Sequence, residues 1–312
     1  MTAAVLMLAG LPLLTVGADQ LILGSGRLAS RLGVSPVVVG VVVIGFGTSA
    51  PELVVSTLAA ADGHASLAVG NLVGSNVIHV TLILGLSGLV FPFAVGLSVL
   101  RREAPLSVAA VAAFAGALAL GLGTVTGAVL ILLFGAAMWL LWRIARTGDQ
   151  RLPGEVAEFL DGGTRHRLSR ETTRTVLGLA GTLAGAELLV TGAAELAARA
   201  GVSPAVIGFT IVALGTSLPE LTAALQAVRR GETDLVVGNL LGSNMFNSLA
   251  AGGVVGLVGR TMPPTHGSVL SLMVVTSVLA WLLLARRQCL TRPESAVLLL
   301  MYGSALPLLM LA

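Results

Sequence analysis

Two stretches place hydroxyls, a proline and a carboxylate inside runs that are otherwise apolar: GFGTSAPEL from Gly45 and ALGTSLPEL from Ala213. Each carries a Thr-Ser pair (Thr48 and Ser49; Thr216 and Ser217) just ahead of a glutamate, Glu52 or Glu220. A carboxylate at mid-membrane costs at least about a few kcal/mol, so it marks function by default. Two such groups facing each other repel unless a cation sits between them, and a divalent ion neutralises both. An all-oxygen site suits a hard cation such as Ca2+, which accepts about six to eight oxygens. Zn2+ or Cu+ would call for His or Cys ligands.

A second motif supplies further polar groups. On a helix, Asn71, Ser75 and His79 share one face, as do Asn239, Ser243 and Asn247. Gly70, Gly74, Gly238 and Gly242 are expected to permit close helix approach. Asn76 and Asn244 point off the shared face and read as packing residues.

These pieces belong to an internal repeat. Residues 33–53 align without gaps with 201–221, with twelve identities in 21 positions. VGNLVGSN (69–76) pairs with VGNLLGSN (237–244), and Asp19 pairs with Glu187, all at the same offset of 168 residues.

The elements that hold the motifs are membrane helices. The chain is 55% hydrophobic and 11% charged, with a mean hydropathy of +0.96. A soluble domain would carry about 25% charge. Ten apolar spans are expected, at 3–26, 35–60, 67–91, 104–122, 126–145, 173–198, 203–228, 235–258, 268–285 and 294–311. No alternating strand pattern points to an outer-membrane barrel. The start of the chain lacks a basic segment and reads as a retained helix. Gly47 and Pro51 should break the second span, leaving carbonyls that can ligate cations. The domain reading is two five-helix repeats, 1–146 and 173–312, joined by a polar cytoplasmic linker at 147–172. Five is odd, so the two copies enter the membrane from opposite sides. That makes an all-α polytopic membrane protein of inverted repeats with broken helices 2 and 7, an architecture of secondary transporters.

All eighteen basic residues are Arg. Sixteen lie in loops after odd-numbered spans, and only Arg199 and Arg260 lie on the other side. The positive-inside rule then puts the linker in the cytoplasm and both termini outside a cell membrane. Nothing suggests nucleic acid or a protein partner. The single cysteine, Cys289, excludes an internal disulfide and a Cys-based metal cluster.

GTSAPE, GTSLPE and the paired GNLxGSN motifs resemble the sodium/calcium exchanger branch of the calcium/cation antiporter superfamily. The resemblance covers both repeats and the ten-helix count. It implies that Glu52 and Glu220 are carboxylates shared by Ca2+ and Na+, and that Thr48 and Thr216 give backbone and hydroxyl oxygens. It implies flanking Na+ sites at Ser49, Ser217, Ser75 and Ser243 and at the carbonyls of Gly45 and Ala213. The implied mechanism is alternating access, helices 1 and 6 sliding across the other eight, with three Na+ or one Ca2+ bound in turn. These ions are cargo, and no cofactor is called for. Archaeal-type members commonly have Asn and Asp four residues after the two serines; here the positions hold His79 and Asn247. An acid is lost and an imidazole gained, which opens the coupling ion to question. His79 reads either as a neutral hydrogen-bonding substitute or as a proton-coupled group.

The alternatives keep the transporter and change the ions, to Ca2+/H+ exchange or to Mg2+ or Mn2+. A membrane lipid phosphatase would need an Arg or a base beside a nucleophile, and the repeat motifs hold no Arg. A channel is disfavoured because paired deep carboxylates would hold a divalent ion too tightly for fast conduction. Asp19 and Glu187 read as buried hydrogen-bonding residues, and His64, His166 and His266 as solvated.

The Arg distribution makes a direct prediction. A cysteine probe placed in the 147–172 linker should be labelled only after the cell is permeabilised, and one at the C-terminus from outside. Labelling of the linker in intact cells would refute this topology.

Overall fold

The structure is a computed structural model and describes residues 2–32, 36–147, 168–201, 213–259, 264–265 and 267–310. His166, His266, Arg260, most of the linker and the stretch 202–212 of the second repeat lie outside the described residues.

Helices dominate. In chain order they are α1 (Thr2–Leu32), α2 (Pro36–Val39), α3 (Phe46–Thr48), α4 (Ala50–Ala61), α5 (Ala65–Ile78), α6 (Leu84–Val90), α7 (Leu97–Arg101) and α8 (Glu103–Leu120). They continue with α9 (Thr124–Thr147), α10 (Leu168–Arg199), α11 (Ala213–Thr216), α12 (Leu218–Arg229), α13 (Thr233–Met245), α14 (Gly252–Val258), α15 (Gly267–Arg287) and α16 (Arg292–Met310). Among the described residues, three π-helical segments are spliced in: Gly40–Gly45, His79–Ile83 and Phe246–Ala251. Two-residue strands, β1 (Phe93–Ala94) and β2 (Cys289–Leu290), pair antiparallel. Among the described residues, seven helices are long and apolar enough to cross a membrane, or eight counting a bent pair, Gly40–Thr48 with Ala50–Ala61, which turns by 48°. The expected break in the second span is therefore present. α16 adds one helix of 19 residues near the C-terminus.

Two details differ from the expected spans. Arg101 and Arg102 do not sit in an open loop but at the joint between α7 and α8. α10 starts at Leu168, inside the expected linker, because Glu171 in its first turn is buried and paired. It contacts Arg174 at 2.9 Å and Arg27 at 3.8 Å. A carboxylate near a helix N-terminus also meets a favourable dipole.

The chain divides into two compact units that do not follow the repeat boundary: Met1–Thr48 with Thr147–Asn239, and Ser49–Arg146 with Leu240–Ala312.

The first unit is organised around α1 and α10, which run antiparallel at backbone contact. Glycine recurs every seven residues on each: Gly10, Gly17 and Gly24, then Gly178, Gly185 and Gly192. Each glycine of α1 is the repeat counterpart, 168 residues on, of one on α10. An added Cβ on Gly10 would lie 2.8 Å from the Gly185 carbonyl oxygen, and one on Gly17 2.5 Å from the Thr182 nitrogen. On the other helix, a Cβ on Gly192 would lie 2.7 Å from the Ala3 carbonyl oxygen. Water drives no helix association in lipid, so close packing of this kind must do so. The heptad of glycines was legible in the sequence and is a stronger packing signal than the glycines of the GNLxGSN motifs. Expected close approach is absent at Gly70 and Gly74, where an added Cβ would meet nothing within 4 Å, and present at Gly238, whose Cα lies 3.0 Å from a Cβ added on Gly40. Asp19 is half-buried and accepts hydrogen bonds on Oδ1 from Arg230 Nε at 2.9 Å and Nη2 at 2.6 Å. Its counterpart Glu187 is exposed, not buried, and accepts from Thr191 at 3.3 Å.

In the second unit, α5 and α6 are mostly buried, with Leu72, Val77, Leu240 and Met245 in the core. Gly127 on α9 meets Gly253 and Gly256, so α9 and α14 also touch through backbone. Phe114 of α8 fills the notch beside Gly252.

Replacing Gly17 with Val should lower thermal stability in detergent or lipid by about 1–3 kcal/mol or more, because the obstacle is backbone. Gly116→Ala, where the new Cβ meets nothing within 4 Å, should leave the melting temperature unchanged or slightly raised. Equal losses in the two variants would show that the lane is not a packing contact.

Candidate ion-binding site

The site residues are carried by two half-helices that begin in the same way. Ser49 precedes α4 with φ −82° and ψ 9°, and Ser217 precedes α12 with φ −93° and ψ 6°. In each helix the second residue is proline, Pro51 or Pro219, where a missing N–H costs nothing because helix-start donors have no partner within the helix. The third is the glutamate, Glu52 or Glu220, completely buried. Both carboxylates thus sit in the first turn of a half-helix, where the dipole favours negative charge.

In the first unit, Thr48 is buried and donates its hydroxyl proton to the Ile44 carbonyl at 2.9 Å. The same hydroxyl lies 3.3 Å from Asn239 Oδ1, and Asn239 Nδ2 donates to the Glu220 backbone carbonyl at 3.3 Å. Thr216, Ser217 and Gly45 are buried, and Ala213 opens α11. Asn239 thus ties the break of the first repeat to that of the second.

In the second unit, Asn71 plays the matching part. Its Nδ2 reaches the Glu52 backbone carbonyl at 3.4 Å and the Ser56 hydroxyl at 2.9 Å. Sequence reasoning placed Asn71 and Asn239 on the ion-facing stripe; both hold a glutamate's backbone. Ser49, Ser75 and Ser243 are buried. So is His79, and a ring nitrogen of it lies within 4.8 Å of a Glu52 carboxylate oxygen.

His79 and Asn247 fall in the π segments His79–Ile83 and Phe246–Ala251. The segments are repeat counterparts, and such widened turns recur at functional sites. Both polar atoms of Asn247, and His79 Nε2, are buried with no hydrogen-bond partner among the described residues. Uncompensated buried polar atoms are costly and imply a ligand or water.

Asn76 and Asn244 are not merely packing residues. Asn244 Oδ1 faces His79 Nδ1 at 2.9 Å while Asn244 Nδ2 donates to the Asn76 carbonyl at 3.2 Å. Asn76 Nδ2 in turn donates to the Ser248 hydroxyl at 3.1 Å. The two asparagines are repeat counterparts and form one chain ending on the imidazole. The signal in the sequence was their identity in both motifs.

Outside the membrane spans, Glu232 precedes α13. Burial, with Asp234 adding to it, pushes its carboxyl up to about 6, against the pull of Arg230.

The family model described as "Sodium/calcium exchanger protein" matches residues 2–143 and 172–311. The chain is 35% identical over 298 residues to inner membrane protein YrbG of Escherichia coli, covering 91% of this chain and 89% of that protein. It is 28% identical over 364 residues to sodium/calcium exchanger MaX1 of Methanosarcina acetivorans, covering 97% of each. A solved structure of the sodium-calcium exchanger NCX_Mj, soaked with 10 mM Na+ and zero Ca2+, superposes with a TM-score of 0.86 at 31% identity. The match covers 98% of each chain. Matched along both halves of its length, the chain belongs to the sodium/calcium exchanger family and is a membrane cation antiporter.

Proposed function

We propose that the protein exchanges Ca2+ for Na+ across the cell membrane by alternating access, with the ions bound near the midplane between two inverted five-helix repeats. The observation that carries this is the twin half-helix start: two buried glutamates, each third in a half-helix that follows a Ser with the same backbone geometry. Glu52 and Glu220 give the shared carboxylates. Thr48 and Thr216 add hydroxyl and backbone oxygens. Ser49, Ser217, Ser75 and Ser243, with the Gly45 and Ala213 carbonyls, serve Na+. His79 and Asn247 complete the set in place of the family's amide and acid. Family membership supports Ca2+ and Na+ as cargo. The ten-span count, with both termini outside, rests on the sequence repeat and the Arg distribution.

Stabilisation of bound ions follows from charge. Removing water from a cation costs more than any single neutral oxygen returns, and two carboxylates supply the balance. A monovalent ion leaves one negative charge uncompensated, so several Na+ must replace one Ca2+.

A second reading, Ca2+/H+ exchange or exchange of another divalent ion, is favoured by one observation: an imidazole, His79, stands where the family commonly has an amide. The two separate in one experiment. Proteoliposomes should take up 45Ca2+ when loaded with Na+, and take up little under a pH gradient alone. Uptake driven by protons and indifferent to Na+ would select the second reading. No gradient-dependent uptake would reject both.

A further inference from the structure

The His79 ring is held in one tautomer. The Asn244 amide satisfies its two partners only with its NH2 toward the Asn76 carbonyl and its oxygen toward His79 Nδ1. A carbonyl oxygen accepts and cannot donate, so in the neutral ring Nδ1 carries the proton. Nε2 then keeps its lone pair. That atom is fully buried, has no hydrogen-bond partner among the described residues, and belongs to a ring within reach of the Glu52 carboxylate. A metal-binding histidine is ordinarily fixed in this way, with its other ring nitrogen donating to a carboxylate or a carbonyl oxygen.

We propose that His79 Nε2 is a metal ligand, and that it extends the cargo from hard Ca2+ to borderline divalent cations such as Co2+ and Zn2+. Asn244 acts as the positioning residue, and Asn76, through its backbone carbonyl, sets the direction of the Asn244 amide. This rests on the reading of the Glu52 centre as a divalent-cation site. The chemistry follows from ligand type. Carboxylate, hydroxyl and carbonyl oxygens favour Ca2+ and Mn2+, whereas an imidazole nitrogen favours metals later in the divalent series. A site that exchanges an amide oxygen for an imidazole nitrogen keeps its carboxylate charge, so it keeps Ca2+. It gains affinity in the order Mn2+, then Co2+, then Zn2+. The first repeat carries the nitrogen, while its counterpart Asn247 carries an amide. The gain therefore comes from one side of the site.

The test is calorimetric titration of the purified full-length protein with each metal alone, parent against His79→Gln, whose side-chain oxygen falls near the place of Nε2. The expected result is a loss of affinity of about tenfold or more for Zn2+ and Co2+, less for Mn2+, and about none for Ca2+. His79→Asn serves if the glutamine variant fails to fold, with the same expectation. Equal losses for all four ions, or none for Zn2+ and Co2+, would overturn the proposal. The titration needs no transport. A protein that binds in this graded order but shows no gradient-driven flux would leave this assignment standing and reject exchange. Na+-driven Ca2+ flux without the graded order would do the reverse.

Discussion

Everything in this molecule is arranged around the cost of keeping carboxylates out of water. Glu52 and Glu220 are buried in a chain whose charged content is only 11%. A bilayer offers them no solvent, so their charge must be met by backbone dipoles and hydroxyls and, in the proposed function, by a cation. The fold answers with two half-helix starts, each aiming its N-terminal dipole at its glutamate. Pro51 and Pro219 remove donors that would otherwise lack partners, and Asn71 and Asn239 fix the carbonyls of the same two residues. These are devices for holding a charge in place, and they occur twice because the sequence does.

Duplication also explains the packing beside the site. A glycine heptad placed once in an ancestral half appears on both α1 and α10, so each helix brings a bare backbone stripe to the other. Such a contact brings backbone against backbone at each glycine, with the two helices antiparallel. Where the halves have diverged, the divergence is chemical. Asp19 has an arginine partner, whereas Glu187 is exposed and accepts from a threonine. His79 stands opposite Asn247 in the repeat, and Ser56 opposite Ala224.

Much of this was legible in the sequence, and for identifiable reasons. A carboxylate in an apolar run, a Gly and a Pro within five residues and an offset repeated across three motifs are all local signals. They located the broken span and its polar groups. What was not legible depends on register. A π turn inserts one residue into a helix and rotates all that follows by about 100° relative to an α-helical wheel. No residue type specifies it, and packing selects it. Asn76 and Asn244 precede these turns, and the wheel missed them for another reason: Asn244 meets His79 of the other repeat, a contact that no single-helix wheel contains. The short β1–β2 pair likewise depends on contacts between segments far apart in the chain. The glycine lane is a different case: its period was visible, and its meaning required knowing that α1 and α10 are neighbours.

The central claim is that the two glutamates serve one ion and not two. Calorimetric titration of Ca2+ against the parent, Glu52→Gln and Glu220→Gln tests it most directly, since glutamine keeps the shape and removes the charge. A shared site predicts one tightly bound Ca2+ per chain in the parent and near-complete loss of binding in either single variant, because one remaining charge faces a divalent ion alone. A single variant that kept near-native Ca2+ affinity would contradict it.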